Sequence, residues 1–128
     1  MQNNRVGWFE IYAHDIDRAR KFYEGVFGIT LEKLESPDGQ MVMWAFPGAM
    51  DQQAHGASGA LVHMPGAPVG SGGTLVYFMS QDCAIEAGRA AAHGGKVAME
   101  KFAIGGDYGF AALLNDTEGN TFGVHSME

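Results

Sequence analysis

The chain has 128 residues, enough for about one domain with an adequate core but not for two independent ones. Its formal net charge of −7 at pH 7 and its sequence pI near 5.1 argue against nucleic acid or an anionic membrane as a partner. No apolar run reaches the roughly 18 residues of a membrane span. The single cysteine, Cys83, fits a reducing compartment, so we expect a cytoplasmic protein that binds neither nucleic acid nor membrane.

The first half of the chain has the pattern of a strand, a helix and three more strands. Residues 6–13 alternate as a strand does. Asp15 suits the N-cap of a helix whose apolar residues recur at helical spacing as far as Phe27, and Gly28 suits its end. Three further strands are predicted at residues 29–35, 40–46 and 59–64, with a turn at 36–39 and a polar loop at 47–58.

The same pattern restarts after a glycine- and proline-rich segment, residues 65–73, which predicts a linker. Asp82 suits a second N-cap, and the helix predicted after it covers residues 83–93 and ends at a glycine pair. Gly95 lies 13 positions after Asp82, the same spacing as from Asp15 to Gly28 in the first half. The strands predicted in this half are residues 74–80, 96–102, 108–114 and 121–126.

Each half therefore predicts a βαβββ module, in residues 1–64 and 74–128 of one α+β domain. The sequences of the last strands of the two halves also match when they are aligned, with His63 at the position of His125. A module of this kind carries its helix on one face of the sheet, so the other face needs cover. We expect two tandem modules to close their sheets around a shared cleft.

Both halves carry motifs of a known family. They are Asp15-x-x-Arg18-Ala19-x-x-Phe22-Tyr23-x-x-x-Phe27-Gly28 and Asp116-Thr117-Glu118-Gly119-Asn120-Thr121-Phe122-Gly123. The chain resembles the vicinal oxygen chelate (VOC) superfamily of glyoxalases, bleomycin-resistance proteins and extradiol dioxygenases, although members often have proline where this chain has Thr117. The resemblance implies a glyoxalase-like split barrel built from the two modules. It also implies a homodimer, because related proteins commonly pair.

The resemblance further implies where a metal would bind. Metal-dependent members hold a divalent ion on the first and last strands of each half, typically with two histidines and two glutamates. The corresponding positions here are Trp8, Leu61, Gly123 and Val76, with Thr74 replacing Val76 in a shifted register. None of these is a normal ligand, so we expect the standard metal site to be absent and no cofactor to be needed.

A displaced metal site is the alternative. Two residues further along the strands stand Glu10, His63 and His125, and two histidines with one carboxylate are the composition of a non-haem iron site. Such a site would hold Fe, Mn, Ni or Zn. The interpretation that we prefer is simpler: Glu10 accepts a hydrogen bond from a tyrosine or a histidine, and the histidines line a polar pocket.

The inward positions of the two modules are mostly aromatic, with few polar groups. This lining is typical of a small-molecule pocket whose walls stack on flat ligands, although the same side chains could be core that fills the cleft. Glu10 is the candidate general acid or base, because a carboxylate among aromatic side chains is desolvated. The remaining predicted pocket residues are Trp8, Tyr12, Trp44 (or Met43), His63, Phe78, Tyr108, Phe110 and His125.

Three functions are consistent with these patterns. The one that we favour is a metal-free protein that binds a small apolar or aromatic molecule, in the manner of bleomycin-resistance proteins. The second is a metal-dependent lyase, isomerase or dioxygenase with the displaced site at Glu10, His63 and His125. The third is a non-enzymatic, dimerising domain with a filled cleft. The sequence leaves open which ligand binds and whether any reaction is catalysed.

Overall fold

The computed structural model describes residues 6–36, 39–49 and 56–128. In this part of the chain, two α-helices and eight strands follow the order βαβββ twice, so the predicted α+β fold is confirmed. Parts of the predicted turn at 36–39 and of the predicted loop at 47–58 lie outside the described residues. The elements are β1 (Val6–Tyr12), α1 (Ile16–Phe27), β2 (Glu32–Leu34), β3 (Val42–Ala45), β4 (Ser58–His63), β5 (Thr74–Met79), α2 (Cys83–Arg89), a 3-10 helix (Ala91–His93), β6 (Lys96–Ala103), β7 (Phe110–Asn115) and β8 (Thr121–Ser126).

The chain divides into two compact units with the same strand pairing. The first unit is Trp8–Thr74, with strand order β2-β3-β4-β1. The second is residues 6–7 with Leu75–Glu128, with strand order β5-β8-β7-β6. In each unit the first and last strands in sequence run parallel, and the other neighbours run antiparallel. The predicted linker at 65–73 lies in the first unit, and the single-domain organisation stays a prediction.

Helix α1 begins and ends where the sequence predicts. The side chain of Asp15 accepts a hydrogen bond from the backbone N–H of Arg18, at 3.1 Å, as an N-cap does. Gly28 follows the helix with φ of 64°, a left-handed conformation that glycine adopts without steric cost. These two local signals therefore fix the length of the helix.

The same helix buries none of its residues. Phe22, Val26 and Phe27 are 61%, 59% and 64% exposed, although they belong to its apolar pattern. The helix packs on β4, but these three side chains remain mostly exposed. Helix α1 therefore presents an apolar surface.

Strand β2 is shorter than the seven residues predicted for it. The segment before it is bonded to the end of α1, since the N–H groups of Ile29 and Leu31 donate to the backbone and the carboxylate of Glu24. These backbone groups are therefore not part of a sheet ladder, and only Glu32–Leu34 pair with β3.

The single helix predicted over 83–93 is wrong. Helix α2 ends at Arg89, and a 3-10 helix follows at Ala91–His93 before Gly94, which has φ of 90°. The N–H of His93 bonds to Ala90 three residues back, which is the tighter winding common at helix ends. Asp82 caps α2 as predicted, by accepting from the N–H of Ala84 at 3.0 Å. Neither α-helix of the described ranges is long and apolar enough to cross a membrane.

The second unit has the denser helix packing. Helix α2 buries Cys83 and Ala87 against β7 and β8, where small side chains allow a close approach. The hydroxyl of Ser126 on β8 accepts from the N–H of Cys83 at 2.9 Å, which satisfies a donor at the helix start. The buried cluster consists of Cys83, Ala87, Ala112, Leu114 and Val124.

Two glycines of the α1 region give opposite predictions for replacement by alanine. Gly25 lies inside the helix with open space where a Cβ would stand, so Gly25→Ala should stabilise the protein by about 0.5–1 kcal/mol. Gly28→Ala should destabilise it by about 1–2 kcal/mol, because φ of 64° is strained for alanine. Denaturant unfolding of the two variants measures both effects, and equal shifts would contradict the assignment of Gly28 as the helix end.

The turn between β7 and β8 is built on one carboxylate. Asp116 accepts from the side chain and the backbone N–H of Asn120, at 3.0 and 2.9 Å, and from the N–H of Glu118 at 2.9 Å. The bond from the side chain of Asn120 is the main cause that lowers the pKa of Asp116 below its ordinary value. The ionised form of this carboxylate therefore holds the turn.

This lowered pKa predicts a pH dependence of stability. Because the folded pKa lies below the unfolded one, Asp116 stabilises the fold above the ordinary carboxyl range and loses this contribution as pH falls through its folded pKa. The free energy of unfolding should fall more between pH 6 and pH 2.5 for the wild type than for Asp116→Asn. Asn120→Ala should show a smaller fall in unfolding free energy than the wild type, because it removes the main cause of the lowered pKa. Identical pH profiles for all three proteins would contradict the role of Asp116.

Candidate functional site

A buried carboxylate lies at the centre of β1. Glu10 is only 8% exposed. One carboxylate oxygen accepts from the hydroxyl of Tyr12 at 2.6 Å, and the other accepts from the indole Nε1–H of Trp8 at 3.1 Å. These residues alternate along the strand and therefore share one face of it, as the sequence predicts. The first part of the preferred interpretation, that Glu10 accepts from a tyrosine or a histidine, is confirmed for a tyrosine. Its second part, that the histidines line a polar pocket, stays a prediction.

Apolar side chains surround this group on the same face. Met43, Ala60 and Val62 form a buried cluster, and Trp8 and Tyr12 pack against it. The register of the parallel β1–β4 pair explains the arrangement, because Ala60 stands opposite Glu10 and Val62 opposite Tyr12. We call this side of the first unit's sheet, with Trp8, Glu10, Tyr12, Met43, Ala60 and Val62, the carboxylate face.

Trp44 lies on the other side of the sheet, so its predicted place beside Trp8 is wrong. Met43, its neighbour on β3, belongs to the carboxylate face, and successive residues of a strand point to opposite faces. The guanidinium of Arg20 on α1 lies 4.1 Å above the Trp44 ring. We call this side, which α1 covers, the α1 face.

His63 also lies on the α1 face, which contradicts the predicted cluster of Glu10 with His63. It follows Val62 of the carboxylate face by one residue and therefore points the other way. Its Nδ1–H donates to the carbonyl of Ala13 at 3.0 Å. Glu10 and His63 thus cannot join in one metal site, and the displaced two-histidine site is not formed in this unit.

The error comes from the comparison of the two last strands. Ile11 and Phe78 stand at equivalent positions, four residues before their capping aspartates. Their partners across the parallel pairs are Leu61 and Val124, so Val124 and not Gly123 corresponds to Leu61. His125 is therefore the counterpart of Val62, Ser126 is the counterpart of His63, and the two histidines do not match.

In the second unit, His125 lies on the side of the sheet away from α2. Val124, its neighbour, packs in the cluster beneath α2, and the alternation of the strand turns His125 to the opposite side. Its Nε2–H donates to the backbone carbonyl of Tyr108, which brings these two predicted pocket residues together. This bond requires a proton on Nε2, because a carbonyl oxygen can only accept.

Phe78 and Phe110 do not share that side, so their predicted place with His125 is wrong. Phe78 contacts Phe122 edge-to-face with ring centroids 5.6 Å apart, and Phe122 packs against the α2 cluster. Phe110 packs against the same cluster, beneath the ammonium group of Lys101 at 4.7 Å. Both rings are partly buried on the α2 side of the second unit's sheet.

An apolar recess on the α1 face was missed by the sequence analysis. It has a volume of about 570 Å³ and lies between α1, β1 and the end of β3. Two signals were available in the sequence: the helical spacing of Tyr23 and Phe27, and the strand alternation of Phe9 and Ile11. Both indicate only that these faces are buried, and neither indicates a cavity. The recess is lined by Phe9, Ile11, Tyr23, Phe27, Ile29 and Phe46, with Pro47 at its edge.

Comparison with known protein families gives a match over residues 5–124, to the Glyoxalase/Bleomycin resistance protein/Dioxygenase superfamily. The chain belongs to this superfamily. No curated protein sequence matches it.

Several solved structures share the fold of this chain at low sequence identity. A hypothetical protein from Bacillus halodurans C-125 has a TM-score of 0.70 and 12% identity, covering 99% of this chain and 96% of its own. Methylmalonyl-CoA epimerase from Mycobacterium tuberculosis has a TM-score of 0.65 and 14% identity, and the match covers 100% of this chain and 93% of the epimerase. A methylmalonyl-CoA epimerase in complex with methylmalonyl-CoA and NH4+ has a TM-score of 0.64 and 19% identity, and the match covers 95% of this chain and 93% of the epimerase.

The positions that hold a metal in the superfamily do not fit one here. The indole N–H of Trp8 can only donate, and it donates to Glu10. Gly123 has no side chain, and the strand register makes its counterpart in the first unit Ala60 rather than the predicted Leu61; neither alanine nor leucine is a ligand. In the second unit, Leu75 and not Val76 stands seven residues before the capping aspartate, as Trp8 does in the first, and it is also no ligand. Within either unit, the described residues contain no group of three metal-ligating side chains.

The two tryptophans should report on opposite faces. Trp44 is the tryptophan beneath Arg20, so Arg20→Met should change the fluorescence of a Trp8→Phe protein, which retains only Trp44. The same change in a Trp44→Phe protein should leave the emission nearly unaltered. Lys21→Met, an exposed change on the same helix, is the control. Equal responses from both single-tryptophan proteins would contradict the placement of Trp44.

Proposed function

We propose that this superfamily member binds a small, mainly apolar or aromatic molecule on the carboxylate face, where Glu10 orients it. The observation that carries the proposal is the 8% exposure of the Glu10 carboxylate within an apolar cluster. Taking a carboxylate out of water is costly, so a buried carboxylate beside an apolar lining is a candidate for the polar group that orients a ligand.

The bonds to Glu10 support a role in orientation. Trp8 and Tyr12 donate to different oxygens and fix the plane of the carboxylate. A carboxylate has about four acceptor positions, so a ligand donor can bond to Glu10, beside its other contacts or in place of one of them, while Trp8 and Tyr12 keep their bonds. A ligand with one N–H or O–H donor would therefore bind in a defined direction.

The walls of the face support an apolar ligand. Trp8 and Tyr12 are half-buried, and each offers a broad ring surface beside the buried Met43 and Val62. Aromatic rings stack on flat molecules and fix them with little loss of side-chain freedom. A superfamily-fold epimerase solved with methylmalonyl-CoA is an instance of small-molecule binding on this fold.

No metal takes part in the proposal, because the superfamily's metal positions carry non-ligating residues. The absence of a metal, a homodimeric state and a cytoplasmic location stay predictions from the sequence. Whether Glu10 also transfers a proton depends on the ligand, and binding is the function proposed.

Paired probes test the role of Glu10. We expect 2-naphthol, which has a donor, to bind several-fold more tightly than 2-methoxynaphthalene, which has a similar shape and no donor. A proton–nitrogen NMR titration measures both affinities, with the indole signals assigned from Trp8→Phe and Trp44→Phe. The Trp8 signal should shift, because its N–H is bonded to Glu10, and the Trp44 signal should not.

Glu10→Gln should abolish the preference for 2-naphthol, since an amide keeps the shape but loses the charge and one acceptor oxygen. Glu32→Gln, at an exposed position of the same unit, is the matched control and should leave the preference unchanged. The proposal is wrong if both probes leave the Trp8 signal in place, or if Glu10→Gln retains the full preference.

A further inference from the structure

We propose a second binding site, for a compact, neutral aromatic molecule, in the recess of about 570 Å³ between α1 and the sheet of the first unit. We call it the α1 recess. It lies on the α1 face, opposite Glu10, and is therefore separate from the site of the proposed function. Its volume is within the range of small-molecule pockets.

The rings that line the α1 recess hold one another in place. Phe46 contacts Phe9 at 5.5 Å between centroids and Tyr23 edge-to-face at 5.6 Å. Tyr23 in turn is nearly parallel to Phe27, at 6.4 Å. The walls are thus a connected set of aromatic contacts from β1, from α1 and from Phe46, the residue after β3.

The backbone beneath the recess is close to these rings. A Cβ added at Gly59 on β4 would come within 2.5 Å of the ring of Phe9. The ring and the backbone oxygen of Phe9 therefore both contact β4 at Gly59, and a side chain at that position would displace them. Glycine at this position keeps the recess clear.

The chemistry of the lining selects the class of ligand. Among the described residues, none of the side chains that line the recess is charged, and the hydroxyl of Tyr23 is the single polar side-chain group. A charged ligand would lose hydration without a partner there. A neutral molecule with aromatic rings can contact the ring faces and edges, and can form at most one hydrogen bond to a side chain.

The position of α1 explains why the protein itself leaves this space. Helix α1 buries no residue, and Phe27 at the rim is 64% exposed. Water therefore wets an apolar concave surface, which is the condition in which a guest gains most from displacing it. A concave surface of this size suits a small molecule better than the broad, flat contact between two protein chains.

Exposed positions on α1 give a matched pair of variants. Phe27 lines the recess, whereas Val26, its neighbour with 59% exposure, does not. The neutral fluorophore 6-propionyl-2-(dimethylamino)naphthalene is the probe, because it has no N–H or O–H donor for Glu10 and its emission shifts to shorter wavelength in apolar surroundings. It should bind saturably at one equivalent, and Phe27→Ser should weaken its affinity roughly three- to tenfold, as expected for the loss of one aromatic contact. Val26→Ser should leave the affinity within a factor of two.

A second pair tests the recess by filling it. Ile11→Phe places a larger side chain in the lining of the recess, reduces its volume and should weaken probe binding. Ile85→Phe makes the same chemical change at an exposed site on α2 and should leave probe binding unchanged. Glu10→Gln should also leave probe affinity unchanged, which separates this site from the carboxylate face.

Three results would overturn the proposal. The first is equal weakening by Phe27→Ser and Val26→Ser. The second is loss of probe binding in Glu10→Gln, which would assign the probe to the carboxylate face. The third is a monomer–dimer equilibrium in analytical ultracentrifugation that Phe27→Ser and Val26→Ser both shift to monomer, which would assign the surface to a second copy of the chain.

Discussion

The parallel pairing of the first and last strands in each unit decides which side chains meet. In the first unit, the register places Glu10 opposite Ala60 and Tyr12 opposite Val62. Because side chains alternate along a strand, this one register assigns every residue of β1 and β4 to a face. The bonds from Trp8 and Tyr12 to Glu10 follow from it, as does the separation of Glu10 from His63.

Local features of this fold could be predicted from the sequence, and the register could not. Asp15 and Gly28 act within one helical turn of their own positions, so their residue types were sufficient. The match of His63 with His125 required the relative shift of two distant strands, and an error of one residue moved His63 to the wrong face. The face of Trp44 was also predicted wrongly, because strand alternation alone does not say which face of the sheet α1 will cover.

The two helices show how side-chain size controls the packing of one module pattern. Helix α2 carries small residues toward its sheet, and Cys83 and Ala87 are buried there. Helix α1 carries Phe22, Tyr23 and Phe27, and none of its residues is buried. Bulky rings hold a helix away from a sheet and leave space between them. The α1 recess is therefore a product of residue size on a repeated topology, which a pattern of apolar positions does not reveal.

The contact between Gly123 and Tyr77 constrains the evolution of this chain. A Cβ at position 123 would come within 2.2 Å of the Tyr77 ring, so no side chain fits there while the ring keeps its place. A superfamily glutamate at position 123 would therefore require the Tyr77 ring to move or a smaller residue to replace it. The other metal positions, among them Trp8 and Leu75, would also have to change, so no single substitution gives this chain the metal site of its superfamily.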